Sequence, residues 1–133
     1  MKSKRLNIKT SQGVQFINID REVKEIIRDS GVKDGFCLIF VPHTTAAVTI
    51  NENADPDVVR DLTKEINKII PFNDSYSHME GNSAAHIKSS VIGPSLTLII
   101  ENGSPLYGTW QSLYFCEFDG PRSRYCIIKV CED

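Results

Sequence analysis

The sequence predicts a single compact α+β domain of antiparallel strands and two to three helices. Three observations predict it. A chain of 133 residues with 41% hydrophobic residues suffices for one complete core and is short for two. Several segments alternate or run apolar over strand lengths, at both ends of the chain and in its middle. Others repeat apolar residues at three- and four-residue spacing, the mark of a helix with one buried stripe.

Leu6-Asn7-Ile8-Lys9-Thr10 alternates with period two, Ser11-Gln12-Gly13 offers a turn, and Val14 to Ile19 resumes strand character, which together predict a β-hairpin. Asp20 follows as a helix cap, with Val23, Ile26 and Ile27 on one stripe and a stop at Ser30-Gly31, where glycine accepts the left-handed conformation. Phe36 to Val41 is apolar at every position and suits a strand covered on both faces. From Thr44 to Asn51, Ala46, Val48 and Ile50 alternate with Thr45, Ala47, Thr49 and Asn51. Extending the alternation backwards puts His43 with the second set, on a face that reads as wet or functional.

Asp55-Pro56-Asp57 starts a second helix, Asp55 as cap and Pro56 where its missing N–H does no harm. Val58, Val59, Leu62, Ile66, Ile69 and Ile70 then share a stripe until Pro71. After a non-periodic stretch to Gly81, Asn82 or Ser83 caps a third, shorter helix running to about Val91. At about 100° per residue its Ala84, Ile87 and Val91 form the core stripe, and His86 projects from nearly the opposite side. Leu96 to Ile100, Trp110 to Phe118 and Tyr125 to Cys131 read as the final strands. Asp119-Gly120-Pro121 turns the last two into an antiparallel pair. Glu117, a lone charge among apolar neighbours, is either a strand-end acid in water or a buried acid with a partner. Trp110 reads as a packing anchor.

Composition narrows the function. With a formal net charge of −2 and basic residues mixed among acidic ones, no basic stripe is available to neutralise phosphates along a nucleic acid. No apolar run approaches the roughly 20 residues that span a bilayer, and Met-Lys-Ser-Lys-Arg leads directly into alternating residues instead of a signal-peptide core. The expectation is a cytoplasmic protein with no nucleic-acid or membrane partner. Cys37, Cys116, Cys126 and Cys131 lie in apolar, strand-like stretches and read as small buried hydrophobes in a reducing compartment.

The residues that carry chemistry are the chain's three histidines. His43 stands in Pro-His-Thr-Thr-Ala, and His78 and His86 in Tyr-Ser-His-Met-Glu-Gly-Asn-Ser-Ala-Ala-His. Neutral imidazole is a common ligand for zinc and related metals, and three protein ligands with an open position is a frequent layout of catalytic metal centres. No His-x-x-x-His or Cys-x-x-Cys pair fixes the geometry. Spacing alone therefore leaves open both one shared site and three unrelated surface histidines. The face of His86 carries few charges, which favours a polar site over a solvated surface.

Ser95-Leu96-Thr97-Leu98-Ile99-Ile100-Glu101-Asn102-Gly103, followed by Gly108-Thr109-Trp110-Gln111-Ser112-Leu113, resembles the signature segment of the YjbQ-like proteins, a group often described as secondary thiamine-phosphate synthases. Pro42 to Ala46, Asn51 to Pro56, His78 with Glu80 to His86, and Cys116 to Arg122 look like that family's blocks, in order and nearly end to end. The resemblance implies one domain over residues 1–133, an antiparallel sheet or sandwich core, and a homotrimer. It also implies a metal near a subunit boundary, with His43, His78 and His86 as its ligands. Imidazole donors suit a divalent transition metal such as zinc, whereas a phosphate substrate admits magnesium.

The activity so implied is a metal-assisted reaction on a small phosphorylated metabolite. Its specific form joins a pyrimidine diphosphate to a thiazole phosphate and expels pyrophosphate. In that reading Thr44, Thr45, Asn82 and Ser83 supply hydrogen bonds around the metal or substrate. Arg122 or Arg124 clamps phosphate, and Glu80 or Glu117 moves a proton or helps hold the metal. A metal-dependent hydrolase of a small metabolite and a non-catalytic metal- or metabolite-binding module are the alternatives.

Overall fold

A computed structural model describes residues 3–133; Met1 and Lys2, which head the N-terminal segment read above, lie outside the described residues. The chain runs β1 (Lys4–Lys9), β2 (Gln15–Asn18), α1 (Asp20–Ser30), β3 (Gly35–Phe40), β4 (Ala46–Glu52), α2 (Pro56–Ile69), α3 (Ser83–Ile92), β5 (Ser95–Glu101), β6 (Ser104–Pro105), β7 (Gln111–Glu117) and β8 (Ser123–Glu132). The expected α+β class holds, with antiparallel pairing throughout. The strands form two sheets, β1-β8-β3-β5-β6 and β2-β7-β4.

Between the sheets lies the main core. Ile8, Cys37, Ile39, Leu98, Ile100, Cys126, Ile128 and Val130 of the larger sheet meet Ala46, Val48, Leu113 and Phe115 of the smaller one, with Val23 and Ile27 of α1 packed among them. Behind the smaller sheet, Ala47, Cys116 and Phe118 meet Ile66 of α2 and Ala85 of α3 in a second cluster. All four cysteines are free; Cys37, Cys116 and Cys126 are buried as expected, and burial pushes the Cys37 and Cys126 thiols up to about 12, whereas Cys131 is only half-buried.

Local signals set several ends as expected. The Asp55 carboxylate accepts the Asp57 N–H at the start of α2, with Pro56 in the first turn, and Gly31 closes α1 at φ 76°, a conformation costly for any residue with a Cβ.

Tertiary structure corrects other expectations. β1 and β2 do not form a hairpin: β1 pairs with β8 and β2 with β7, in different sheets. β7 and β8 likewise do not pair with each other. Both connections cross between sheets at one corner and bond to each other, the Thr10 N–H to the Arg122 carbonyl at 2.9 Å and the Gly120 N–H to the Gly13 carbonyl at 3.0 Å. Asp20 begins α1 but caps nothing; its Oδ1 accepts the Leu113 N–H at 2.9 Å and the Tyr107 hydroxyl at 2.7 Å, tying α1 to β7. Ala47, placed on the wet face, is fully buried under α3. β3 is covered on one face only: Phe36, Leu38 and Phe40, with Ile99 of β5, are 38–58% exposed on the outer side of the larger sheet. Trp110 is 61% exposed and anchors no core.

α3 is also rotated from its expected face. It buries Ala84, Ala85, Lys88 and Ser89 and leaves Ile87 and Val91 exposed. The two alanines let the helix lie close on β4, the Lys88 amine donates to Asn67 Oδ1 at 2.6 Å, and Ser89 donates to the Thr44 carbonyl. Substituting Asp20 by Ala leaves the Leu113 N–H and the Tyr107 hydroxyl without their acceptor. A loss of about 1–3 kcal/mol is expected for it, read as a lowered urea midpoint at unchanged slope.

Candidate functional site

At the corner where the two connections cross, Glu117 at the end of β7 and Arg124 near the start of β8 face each other inside the sandwich. Glu117 is fully buried and Arg124 nearly so. Arg124 Nη2 donates to Glu117 Oε2 at 2.6 Å and Nε to Oε1 at 2.9 Å, a bidentate pair. Thr10 donates to Oε1 at 2.8 Å and the Asp119 N–H to Oε2 at 3.0 Å. Burial alone would raise this carboxyl, but the hydrogen bonds from Arg124, the Asp119 amide and Thr10 outweigh it and hold Glu117 below the usual glutamate value. Arg124 Nη2 also donates to Thr45 Oγ1 at 2.6 Å. Nε and Nη2 are thus committed, and Nη1 lies outside these bonds.

Arg124 lines an open cleft of about 490 Å3 that also receives His43, His78 and His86, with Thr44, Thr45, Glu80, Asn82, Asp119 and Arg122. His43 lies in the β3–β4 connection. Its Nε2 sits 3.1 Å from both the backbone N and the carbonyl O of Tyr125, and its ring stands edge-on to the Tyr125 ring with centroids 5.1 Å apart. Burial first, and then the Arg124 charge, lower the His43 pKa below its ordinary value, so the ring is neutral near pH 7. When Nε2 carries the proton and donates to the Tyr125 carbonyl, Nδ1 keeps a lone pair for a cation. In the other tautomer Nδ1 carries the proton and can donate to an anion.

His78 comes from the loop before α3 and His86 from α3 itself; their rings are perpendicular with centroids 5.4 Å apart. Glu80 Oε2 lies 4.0 Å from His78 Nε2, both side chains well exposed. The donor types suit a transition metal, but among the described residues no three His, Cys, Asp or Glu side chains are grouped closely enough to hold a metal ion. Asn82 Nδ2 and Arg122 Nη2 both donate to Asp119 Oδ2 at 3.0 Å, and Asn82 Oδ1 is buried with no partner among the described residues.

The structure thus brings His43, Thr44, Thr45, His78, Glu80, Asn82, His86, Arg122 and Arg124 to one cleft. Ser83 lines a neighbouring cavity instead. Glu117 requires correction as a proton-transfer candidate. It does not line the cleft, and both its oxygens are saturated by donors, so it acts by fixing Arg124. Asp119 and Tyr125 were missed. The first was absorbed into a turn, and the second contributes backbone groups that no side-chain pattern announces.

Residues 4–133 match the family described as UPF0047 protein YjbQ-like. The chain belongs to the YjbQ family. It is 51% identical to the UPF0047 protein YugU of Bacillus subtilis, over 96% of this chain and 97% of that one. It is 50% identical to a UPF0047 protein of Methanocaldococcus jannaschii, over 95% and 91%. A YjbQ/UPF0047 crystal structure from Clostridium acetobutylicum superposes with a TM-score of 0.94 at 52% identity, covering 96% of this chain and 99% of that one. A YbjQ-like protein of unknown function from Sulfolobus solfataricus superposes equally well, TM-score 0.94, at 28% identity over 99% and 97%. The two-sheet architecture is therefore that of YjbQ proteins.

Replacing Glu117 by Gln leaves Arg124 buried without its counter-charge, and a loss of about 3–5 kcal/mol is expected. Because the folded carboxyl is depressed, its stabilisation is present above the unfolded value near about 4.3 and is lost as pH falls through the folded value. Urea unfolding at a series of pH values should show the wild type losing stability more steeply than Glu117→Gln below about pH 4.3.

Proposed function

We propose that the cleft binds a small phosphorylated metabolite and acts on it as an enzyme, with thiamine-phosphate synthesis as the specific reaction. The observation that carries this reading is the convergence of Arg122, Arg124 and three histidines on one open cleft. Glu117 and Thr45 hold Arg124 at a fixed angle, so its remaining donors meet an anion without reorganisation, the condition under which charge stabilisation is most effective. Arg122 is half-exposed and, among the described residues, paired only with Asp119; it supplies a second, movable guanidinium. The first turn of α3 carries no acidic residue, and its leading N–H groups add partial positive charge.

Each residue then has a task on its own account. Arg124 and Arg122 bind and orient phosphate oxygens, and Asn82 and Thr44 border them with neutral polar groups. When no metal is bound, neutral His43 accepts or gives a proton at Nδ1 according to its tautomer. Glu80, with Oε2 4.0 Å from His78 Nε2, places a carboxylate at the exposed edge of the cleft. A divalent transition metal, zinc by its preference for imidazole, belongs to the same proposal; His43, His78 and His86 are the residues that would hold it, and their side chains would have to turn toward one another to do so. Bound there, it would neutralise charge on a leaving phosphate.

Homotrimeric assembly is also proposed. The outer face of the larger sheet presents Phe36, Leu38, Phe40 and Ile99 to solvent, an apolar patch of the kind a subunit interface covers. By strand alternation Tyr125 lies on that face, so the patch reaches the residue that holds His43.

Calorimetric titration with pyrophosphate tests the anion site. Saturable binding is expected, weakened about tenfold or more in Arg122→Gln; absence of saturable binding would remove the reading. Metal analysis of the purified wild type should give stoichiometric transition metal that folded His78→Ala and His86→Ala lose, and full retention in both would remove the metal. Product formation from a pyrimidine diphosphate and a thiazole phosphate at no more than the boiled-control rate would remove the synthase, and turnover of phosphate esters alone would favour the hydrolase. Light scattering should give the mass of three 14.9 kDa chains, falling to one in Phe40→Lys; a wild-type monomer would contradict the trimer.

A further inference from the structure

A second cavity of about 380 Å3 adjoins the arginine cleft, and His78 and His86 line both. Its remaining walls are Tyr76, Ser77, Ser83 and Ile87. The two compartments differ in kind. The first holds both arginines and three acidic or amide side chains, whereas the second has, among the described residues, no Lys, Arg, Asp or Glu and offers a phenol ring, two imidazoles, two serine hydroxyls and an aliphatic branch. The Tyr76 hydroxyl is engaged in donating to the Pro71 carbonyl at 2.6 Å, so what Tyr76 has left to offer this pocket is its ring carbons.

Ile87 is the more telling wall. α3 packs on the domain through Ala84, Ala85, Lys88 and Ser89, and Ile87 is 40% exposed beside this cavity, where packing does not require it. The pocket is open to solvent, and its volume of about 380 Å3 lies within the range of small-ligand sites. A phosphate held by Arg122 and Arg124 alone would leave this compartment idle.

Resting on the anion-binding reading above, we infer that Tyr76 and Ile87 form the subsite that selects the organic body of the ligand, and that this body is an aromatic or heteroaromatic ring. The ligand runs from the arginines past the histidine pair, phosphate in the charged compartment and ring between Tyr76 and Ile87. The Tyr76 ring favours a ring over an aliphatic group of the same bulk, because aromatic pairs gain beyond the area they bury, and Ile87 adds apolar area opposite it.

The test is calorimetric titration with inorganic phosphate, methyl phosphate, cyclohexyl phosphate and phenyl phosphate. For the wild type, phenyl phosphate is expected to bind about tenfold or more tightly than methyl phosphate, the discrimination an apolar pocket supplies, and more tightly than cyclohexyl phosphate. In Ile87→Ser, and separately in Tyr76→Ala, each checked for folding by circular dichroism, the advantage over methyl phosphate should shrink to about threefold or less. If phosphate binds and the phenyl ester shows no advantage, or the advantage survives in both variants, the subsite is overturned while the anion cleft stands. If neither phosphate nor any ester binds, the anion cleft itself falls, and the subsite falls with it.

Discussion

Glu117 and Arg124 face each other from different sheets, and their bidentate pair closes the end of the sandwich where both inter-sheet connections cross. Two charges removed from water are costly, and such a pair persists only when its remaining donors and acceptors are met. Here Thr10 and the Asp119 amide saturate the carboxylate, while the Thr45 hydroxyl accepts a further hydrogen bond from the guanidinium. The backbone is shaped around it. A Cβ on Gly120 would collide with the Gln12 carbonyl and press on the Glu117 and Thr10 side chains, so glycine is required where the two connections touch. The same pair fixes the one guanidinium that is both immobile and open to the cleft.

From that corner the remaining cleft residues follow by packing. α3 lies on β4 because Ala84, Ala85 and Ala47 are small, and its position is pinned by Lys88 on Asn67 and Ser89 on the Thr44 carbonyl. The last contact joins the helix carrying His86 to the segment carrying His43. His43 is in turn held by the Tyr125 backbone, next in the chain after Arg124. A single run of contacts therefore links the buried ion pair to two of the three imidazoles, and the His78 loop completes the set at the exposed edge.

What was legible in the sequence is what depends on neighbours in the chain. The Asp55-Pro56 helix start and the Gly31 stop are written in local backbone preferences and stand where they were read. The gathering of the histidines was suggested by family resemblance, since their spacing alone did not decide it. Ser11-Gln12-Gly13 has turn chemistry, yet the chain there changes sheets, because pairing is decided by distant strands and not by the turn. The face of α3 was misjudged because apolar residues surround the helix and the small alanines, weak in any hydrophobic count, permit the closest approach. Glu117 left two readings open, and only Arg124 seven residues on, in another sheet, resolves them. β3 carries a pattern that calls for cover on both faces, and one chain supplies cover to one.

The central claim is that three imidazoles separated in sequence serve one anion site organised by Arg124. It is tested most directly by a long-range proton–nitrogen NMR spectrum tuned to imidazole rings, in which a chain with three histidines gives three spin systems, titrated with pyrophosphate. The account predicts that all three move along one saturation curve with a single dissociation constant. Movement of His78 alone, or three curves with unrelated midpoints, would contradict it.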